Sequence, residues 1–173
     1  YNRSIMVTGP QISLKNISLS FGAEPVFDKL NLIIQSRDRI ALVGRNGSGK
    51  STLLKVLKGL VAQDVGDRML SKGLSIGYME QDPNLSKFST LFDYVYDGAS
   101  DSTLHSIEMA EKNLGVDLEV TTSASSGGER RRAALTKLIA GDHDVMLLDE
   151  PTNHLDIQAI EWLESELKHS TKS

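Results

Sequence analysis

Gly44-Arg-Asn-Gly-Ser-Gly-Lys-Ser51 places glycine first and sixth and ends in Lys50 and Ser51, the spacing of a loop that cradles polyphosphate. Gly44, Gly47 and Gly49 free the backbone to curl until its N–H groups point inward at phosphate oxygens. A helix opening at the end of the loop adds partial positive charge beneath them. Lys50 brings a full charge to the terminal phosphates and Ser51 a hydroxyl to Mg²⁺. Asn46, Ser48 and Thr52 belong to the same candidate contact set.

Two acids follow about 100 residues later. Val145-Met-Leu-Leu148 is a short apolar run ending in Asp149-Glu150, the pattern of a parallel strand covered on both faces. Ligands of parallel sheets gather at the carboxyl ends of the strands. Asp149 is therefore expected to hold Mg²⁺, directly or through water, and Glu150 to orient and polarise an attacking water. By itself such a pair is more often a solvated turn; the phosphate loop upstream shifts the reading to chemistry.

The elements that must position these residues are legible as an ordered series. Ile12-Ser-Leu14 and Ile17-Ser-Leu-Ser-Phe21 alternate as two half-buried strands do, and Leu30–Ile34 reads as a third. Ile40–Val43 is expected to be a central strand feeding the phosphate loop. Leu53, Leu54, Leu57 and Leu60 make a helical stripe that ends near Gly59. Leu74–Tyr78 reads as a strand. Thr90-Leu-Phe-Asp93 matches a capping box, Asp97–Ser102 a polar loop, and Ile107–Leu114 a helix stopped by Gly115. Ser126-Gly-Gly-Glu129 is a second capping box, opening a helix to about Ala140 with Ala134, Leu135, Leu138 and Ile139 on its apolar side. Glycine in a first turn weakens a helix by about 1 kcal/mol per residue. Gly127 and Gly128 make sense there if a phosphate approaches the backbone closely. Arg130, Arg131 and Arg132 are expected on a solvated face.

Taken together these motifs resemble the ATP-binding cassette (ABC) ATPases. Asp149-Glu-Pro-Thr-Asn-His-Leu-Asp156 is similar to the Walker B and D-loop segment, in the Asn-His-Leu-Asp form typical of the ABC-F subfamily. Ser126–Glu129 resembles the ABC signature, Gln81 the Q-loop glutamine, and Phe21 the aromatic residue that stacks on adenine. The resemblance implies an α/β fold: a P-loop core sheet, a small antiparallel β subdomain and a reduced α-helical subdomain at about 82–140. It implies ATP and Mg²⁺ as cofactors. Glu150, Lys50 and Gln81 would be catalytic, and Ser51, Gln81 and Asp149 would serve the metal. Ser126, Gly127, Gly128 and Glu129 would meet ATP held by a second cassette, in the same chain or a second copy. ABC-F members act on ribosomes, so ribosome or RNA is a further implied partner. The alternatives are an ATPase subunit partnered by a transmembrane transporter protein, a nucleotide sensor with little hydrolysis, and a DNA-maintenance ATPase, which would need a long coiled coil.

Two departures from the family pattern matter. Ser125 stands where the signature usually opens with Leu, so an apolar anchor is lost but no phosphate contact. The cassette is expected at 11–173, truncated before the strand that carries the switch histidine; neither His154 nor His169 fits that role. Low hydrolysis is accordingly expected of the isolated fragment. Tyr1–Pro10 is expected to be an N-terminal extension, open to a tag origin.

Composition agrees with a single globular domain: 173 residues, 39% hydrophobic and no cysteine, so neither a disulfide nor a thiolate metal site is available. No apolar run is long enough to span a bilayer and no basic-then-apolar stretch stands at its start, so a cytoplasmic location is the expectation. Nineteen basic against 23 acidic residues leave a net charge of −4, which offers no global attraction for nucleic acid.

Overall fold

The computed structural model describes residues 9–79 and 83–173. The chain divides into two compact units, Tyr1–Leu74 with Lys172–Ser173, and Ser75–Thr171.

The first unit is built on an antiparallel sheet, β1 (Ile12–Phe21), β2 (Glu24–Ile34) and β3 (Val65–Leu70), in the order β2-β1-β3. Ile12, Leu14, Ile17, Leu19 and Ile34 bury one face, the period-2 pattern of a half-buried strand. The two bursts read from the sequence are one strand. Its register shifts between Leu14 and Ile17, where Asn16 adopts φ 51° and its N–H donates to Asn31 Oδ1 at 2.9 Å. This is a bulge, which kinks a strand without ending it. Helix α1 (Lys50–Lys58) buries Leu53, Leu54, Val56 and Leu57 and stops at Gly59, whose φ of 88° closes the helix.

Ile40–Val43 does not form the expected central strand. It joins no described ladder, and Val43 is 95% exposed. A four-residue apolar run becomes a strand only where a neighbour completes its hydrogen bonds. Conversely, β3 escaped the sequence reading because Val65-Gly-Asp-Arg-Met-Leu70 has no clean alternation. It pairs as an edge strand through Ile12↔Leu70, Ser13↔Met69 and Leu14↔Arg68.

The second unit holds the parallel pair β4 (Ile76–Tyr78) and β5 (Val145–Leu147), in register Ile76↔Val145, Gly77↔Met146 and Tyr78↔Leu147. Among the described residues it is accompanied by helices α2 (Leu91–Tyr96), α3 (Asp101–Leu114), α4 (Gly127–Ala140) and α5 (Ile157–His169). The capping boxes at Thr90 and Ser126 form as the sequence indicates. Helix α3 starts six residues before Ile107, because Ser100 and Thr103 make a cap there as well. Two of the residues assigned to the preceding loop, Asp101 and Ser102, are therefore helical. Helix α4 lies between two clusters. Ala133 and Ala140 pack with Leu91, Val95, Ile107 and Leu118, while Leu135 and Leu138 pack with Ala110, Leu114, Ala159 and Leu163. Small residues toward one neighbour and branched ones toward the other bring α4 close to both.

Candidate nucleotide site

In the first unit, the sheet packs against both ends of α1 and thereby holds the candidate phosphate loop. At the N-terminus, Gly49 has φ 90°, and a Cβ there would come within 2.8 Å of Val26 Cγ1 and 3.2 Å of Phe27 Cε1 on β2. At the C-terminus, Arg68 of β3 donates from Nε and Nη2 to the Leu57 carbonyl oxygen at 3.2 and 2.7 Å. A cation there complements the negative end of the helix dipole. Burial lowers the Arg68 pKa from its ordinary value, yet a guanidinium stays charged.

The loop itself is tight. Ser48 N–H donates to the Arg45 carbonyl oxygen at 3.1 Å, and a Cβ on Gly44 would lie 2.6 Å from Ser48 Oγ. Gly47 adopts φ 80°. Lys50 Nζ folds back to donate to the carbonyl oxygens of Gly44 and Arg45 at 2.8 and 2.9 Å. No side chain caps the start of α1, whereas Thr90, Ser126 and Asp156 cap α2, α4 and α5. The first amides of α1, through Ser51 and Thr52, therefore remain available to an anion. Asn46 is exposed on the same loop. A glycine-shaped cradle, uncapped amides and a tethered ammonium fit a polyphosphate. Phe21, at the end of β1 and paired with Glu24 across the hairpin, is 58% exposed, so it is not a core residue.

The other candidate residues belong to the second unit. Asp149 is only 4% exposed, two residues beyond the end of β5. Glu150 next to it is exposed and adopts φ 48°. Asn153 Nδ2 donates to Glu150 Oε2 at 2.7 Å, and Asn153 N–H to the Glu150 carbonyl oxygen at 3.2 Å. His154 also has a positive φ, 66°. Asp156 then caps α5 through the Ala159 N–H at 2.8 Å. A buried carboxylate beside an exposed one suits a metal ligand paired with a residue facing water. Gln81 lies outside the described residues.

At the signature, Ser126 N–H and Oγ–H both donate to Glu129 Oε2 at 2.7 Å, and Glu129 N–H returns a bond to Ser126 Oγ at 3.2 Å. These bonds, the backbone one foremost and the side-chain one next, hold the Glu129 carboxyl below its ordinary pKa against an opposing effect of burial, with Arg132 adding the smallest contribution. Gly127 has open space where a Cβ would sit, and a Cβ on Gly128 would lie 3.8 Å from His154 Cβ.

The arginines after the signature are not a solvated face. All three are part-buried. Arg130 donates from Nε to Ser125 Oγ at 2.9 Å and from Nη2 to the Thr122 carbonyl oxygen at 3.1 Å. Ser125 Oγ–H in turn donates to that carbonyl at 2.8 Å. The polar residue at the position expected for an apolar anchor is thus buried and fully engaged. Arg130 binds the loop that leads into the helix, which offsets its unfavourable place near a helix N-terminus. Arg68, Asn153 and the Ser125–Arg130 pair were missed in the sequence. Only Asn153 carried a local signal, an amide three residues after an acid across a proline turn.

The family profile described as ABC transporter matches residues 27–153. The "ATP-binding protein Uup" of Caulobacter vibrioides is 45% identical over 93% of this chain and 26% of its own length. The Escherichia coli Uup protein is 34% identical, over 91% of the chain and 31% of its length. The "Energy-dependent translational throttle protein EttA" of Mycobacterium tuberculosis is 31% identical, over 90% and 35%. The chain thus spans about a quarter to a third of these relatives. Among solved structures, the ATP-binding subunit of an ABC transporter superposes with a TM-score of 0.80 at 20% identity, covering 93% of this chain and 75% of that one. Such a likeness shows a shared fold, and the α/β arrangement inferred from the motifs is that of an ABC ATPase. No helix among the described residues is long and apolar enough to cross a membrane. With the family profile covering most of its length, the chain belongs to the ABC transporter family and is an ABC ATP-binding domain.

Proposed function

We propose that the chain is a Mg²⁺-dependent ATP-hydrolysing cassette of an ABC-F protein, active when paired with a second cassette. The observation that carries the reading is the contrast at the end of β5, where a buried Asp149 adjoins an exposed Glu150. The amides of residues 47–52 and the Lys50 ammonium would bind the phosphates, and Phe21 would stack on the base. Ser51 and Asp149 would hold Mg²⁺, with Gln81 as a further ligand. The metal would neutralise charge on the phosphates and orient them. Glu150 would accept a proton from the attacking water, while Lys50 and the loop amides stabilise charge on the transferred phosphoryl group. Ser126, Gly127, Gly128 and Glu129 would present the start of α4 to nucleotide held by the other cassette.

The Uup and EttA likenesses and the Asn153-His154-Leu155-Asp156 sequence support the ABC-F assignment over a transporter subunit. The likeness to EttA, a translational throttle protein by name, supports a ribosome-associated role in the cytoplasm. The deciding experiment is phosphate release from Mg²⁺-ATP by the chain at high concentration, compared with Glu150→Gln. Loss of turnover with ATP binding retained is the expected result. Equal turnover would remove Glu150 from the mechanism.

A further inference from the structure

We infer that Asn153 is a positioning residue for Glu150, holding its carboxylate through a side-chain hydrogen bond; this rests on the proposed role of Glu150 toward water. The bond from Asn153 Nδ2 to Glu150 Oε2 is 2.7 Å long, at the short end for an amide donor and typical of a charged acceptor. It is joined by the backbone bond from Asn153 N–H to the Glu150 carbonyl oxygen. The same two residues are therefore clamped twice, once through the main chain and once through the side chains.

The backbone explains why a clamp is needed. Glu150 sits at φ 48° and His154 at φ 66°, a region that side chains other than glycine enter only at a cost. Strained residues of this kind persist where the surroundings hold them, and they gather at functional sites. Pro151 prevents helical continuation from Glu150, and Asp156 pins the far end of the turn to α5. Within this turn Glu150 is exposed, so no packing fixes its rotamer. The Asn153 amide supplies that constraint. It engages one of the two carboxylate oxygens, Oε2. Asn153 is itself exposed, so its contribution lies in orientation more than in stability, since exposed polar contacts add little to folding.

Two readouts test this on the 173-residue chain. The first is the Asn153 side-chain amide pair in an amide-resolved NMR spectrum. Replacing the charged acceptor by Glu150→Gln should move that pair. The amide of Asn113, which donates to the Met109 carbonyl oxygen, should stay in place. An unmoved Asn153 pair overturns the proposal, and this readout needs no turnover. The second is single-turnover hydrolysis of Mg²⁺-ATP with the chain in excess. Asn153→Ala should slow it about 10- to 100-fold, the effect of losing one hydrogen bond to a charged group. ATP affinity should stay within about twofold, the pattern of an interaction that matters to the reacting state alone. Asn153→Gln, which keeps an amide donor, should recover most of the rate. In a Glu150→Gln background, Asn153→Ala should have no further effect. Wild-type rates in Asn153→Ala, beside a loss in Glu150→Gln, overturn the positioning role and leave Glu150 standing. Wild-type rates in Glu150→Gln itself overturn the role of Glu150, and the positioning role with it.

Discussion

Lys50 meets two carbonyl oxygens of its own loop, so an arriving phosphate exchanges two neutral acceptors for anionic ones. Charge-assisted bonds are the stronger kind. Lys50→Ala should weaken ATP binding by about 1.5–3 kcal/mol, read by titration with a fluorescent ATP analogue and Mg²⁺; unchanged affinity would refute the placement of the site. Phe21 offers a second test at this scale. Its exposure separates a stacking role from a packing one. Phe21→Ala should weaken nucleotide binding by about 1–3 kcal/mol, the range for base–aromatic stacking, with little change in the apo melting temperature. A lower apo midpoint at constant affinity would instead make it a structural residue.

Helix α4 joins the proposed chemistry to folding, because the residues proposed to meet nucleotide at its start are also its cap. Ser126 donates two hydrogen bonds to the ionised Glu129 carboxylate, and its folded pKa lies below the ordinary value of 4.5. A depressed folded pKa means that ionised Glu129 favours the folded cap. That stabilisation is present above 4.5 and is lost as pH falls through the lower, folded value. Protection of the Ser126 amide, its exchange relative to the free-chain rate at the same pH, should therefore hold down to pH 4.5 and fall as pH drops through the lower, folded value. Glu129→Gln, which keeps the geometry but not the charge, should remove the pH dependence. Protection that fails well above that range would show that the carboxylate does not hold the cap. Elements of this kind were legible in advance because a capping box is written within four residues. Both ends of α1 depend instead on strands distant in sequence. Val26 and Phe27 crowd Gly49, and Arg68 reaches the Leu57 carbonyl; no local pattern announces such contacts.

At the scale of the whole molecule, the proposed chemistry divides a site between two cassettes. Catalysis of phosphoryl transfer is almost entirely positioning and charge stabilisation. A lone cassette should therefore bind ATP better than it hydrolyses it. Phosphate release per chain is expected to be low and to rise with protein concentration as copies pair. A dilution series measures this directly, and turnover that stays high and constant on dilution would contradict the two-cassette site.

The sequence alone was enough to pick out the glycine-rich turn before α1, the acidic pair after β5, the helix caps at Thr90 and Ser126 and the glycine stops at Gly59 and Gly115. Each is a local device whose chemistry and spacing lie within eight residues, so its physics needs no distant partner. The tertiary structure decided what depends on neighbours. Ile40–Val43 has strand composition but no described ladder to join. Val65–Leu70 lacks strand alternation, yet the free edge of β1 recruits it. Ser125 and Arg130, polar groups that the pattern assigned to a lost anchor and to solvent, become partners because burial demands that each find the other. Asn153 stands between the two cases. Its spacing from Glu150 was visible in the chain, but the left-handed backbone at Glu150 is what carries the carboxylate to the amide.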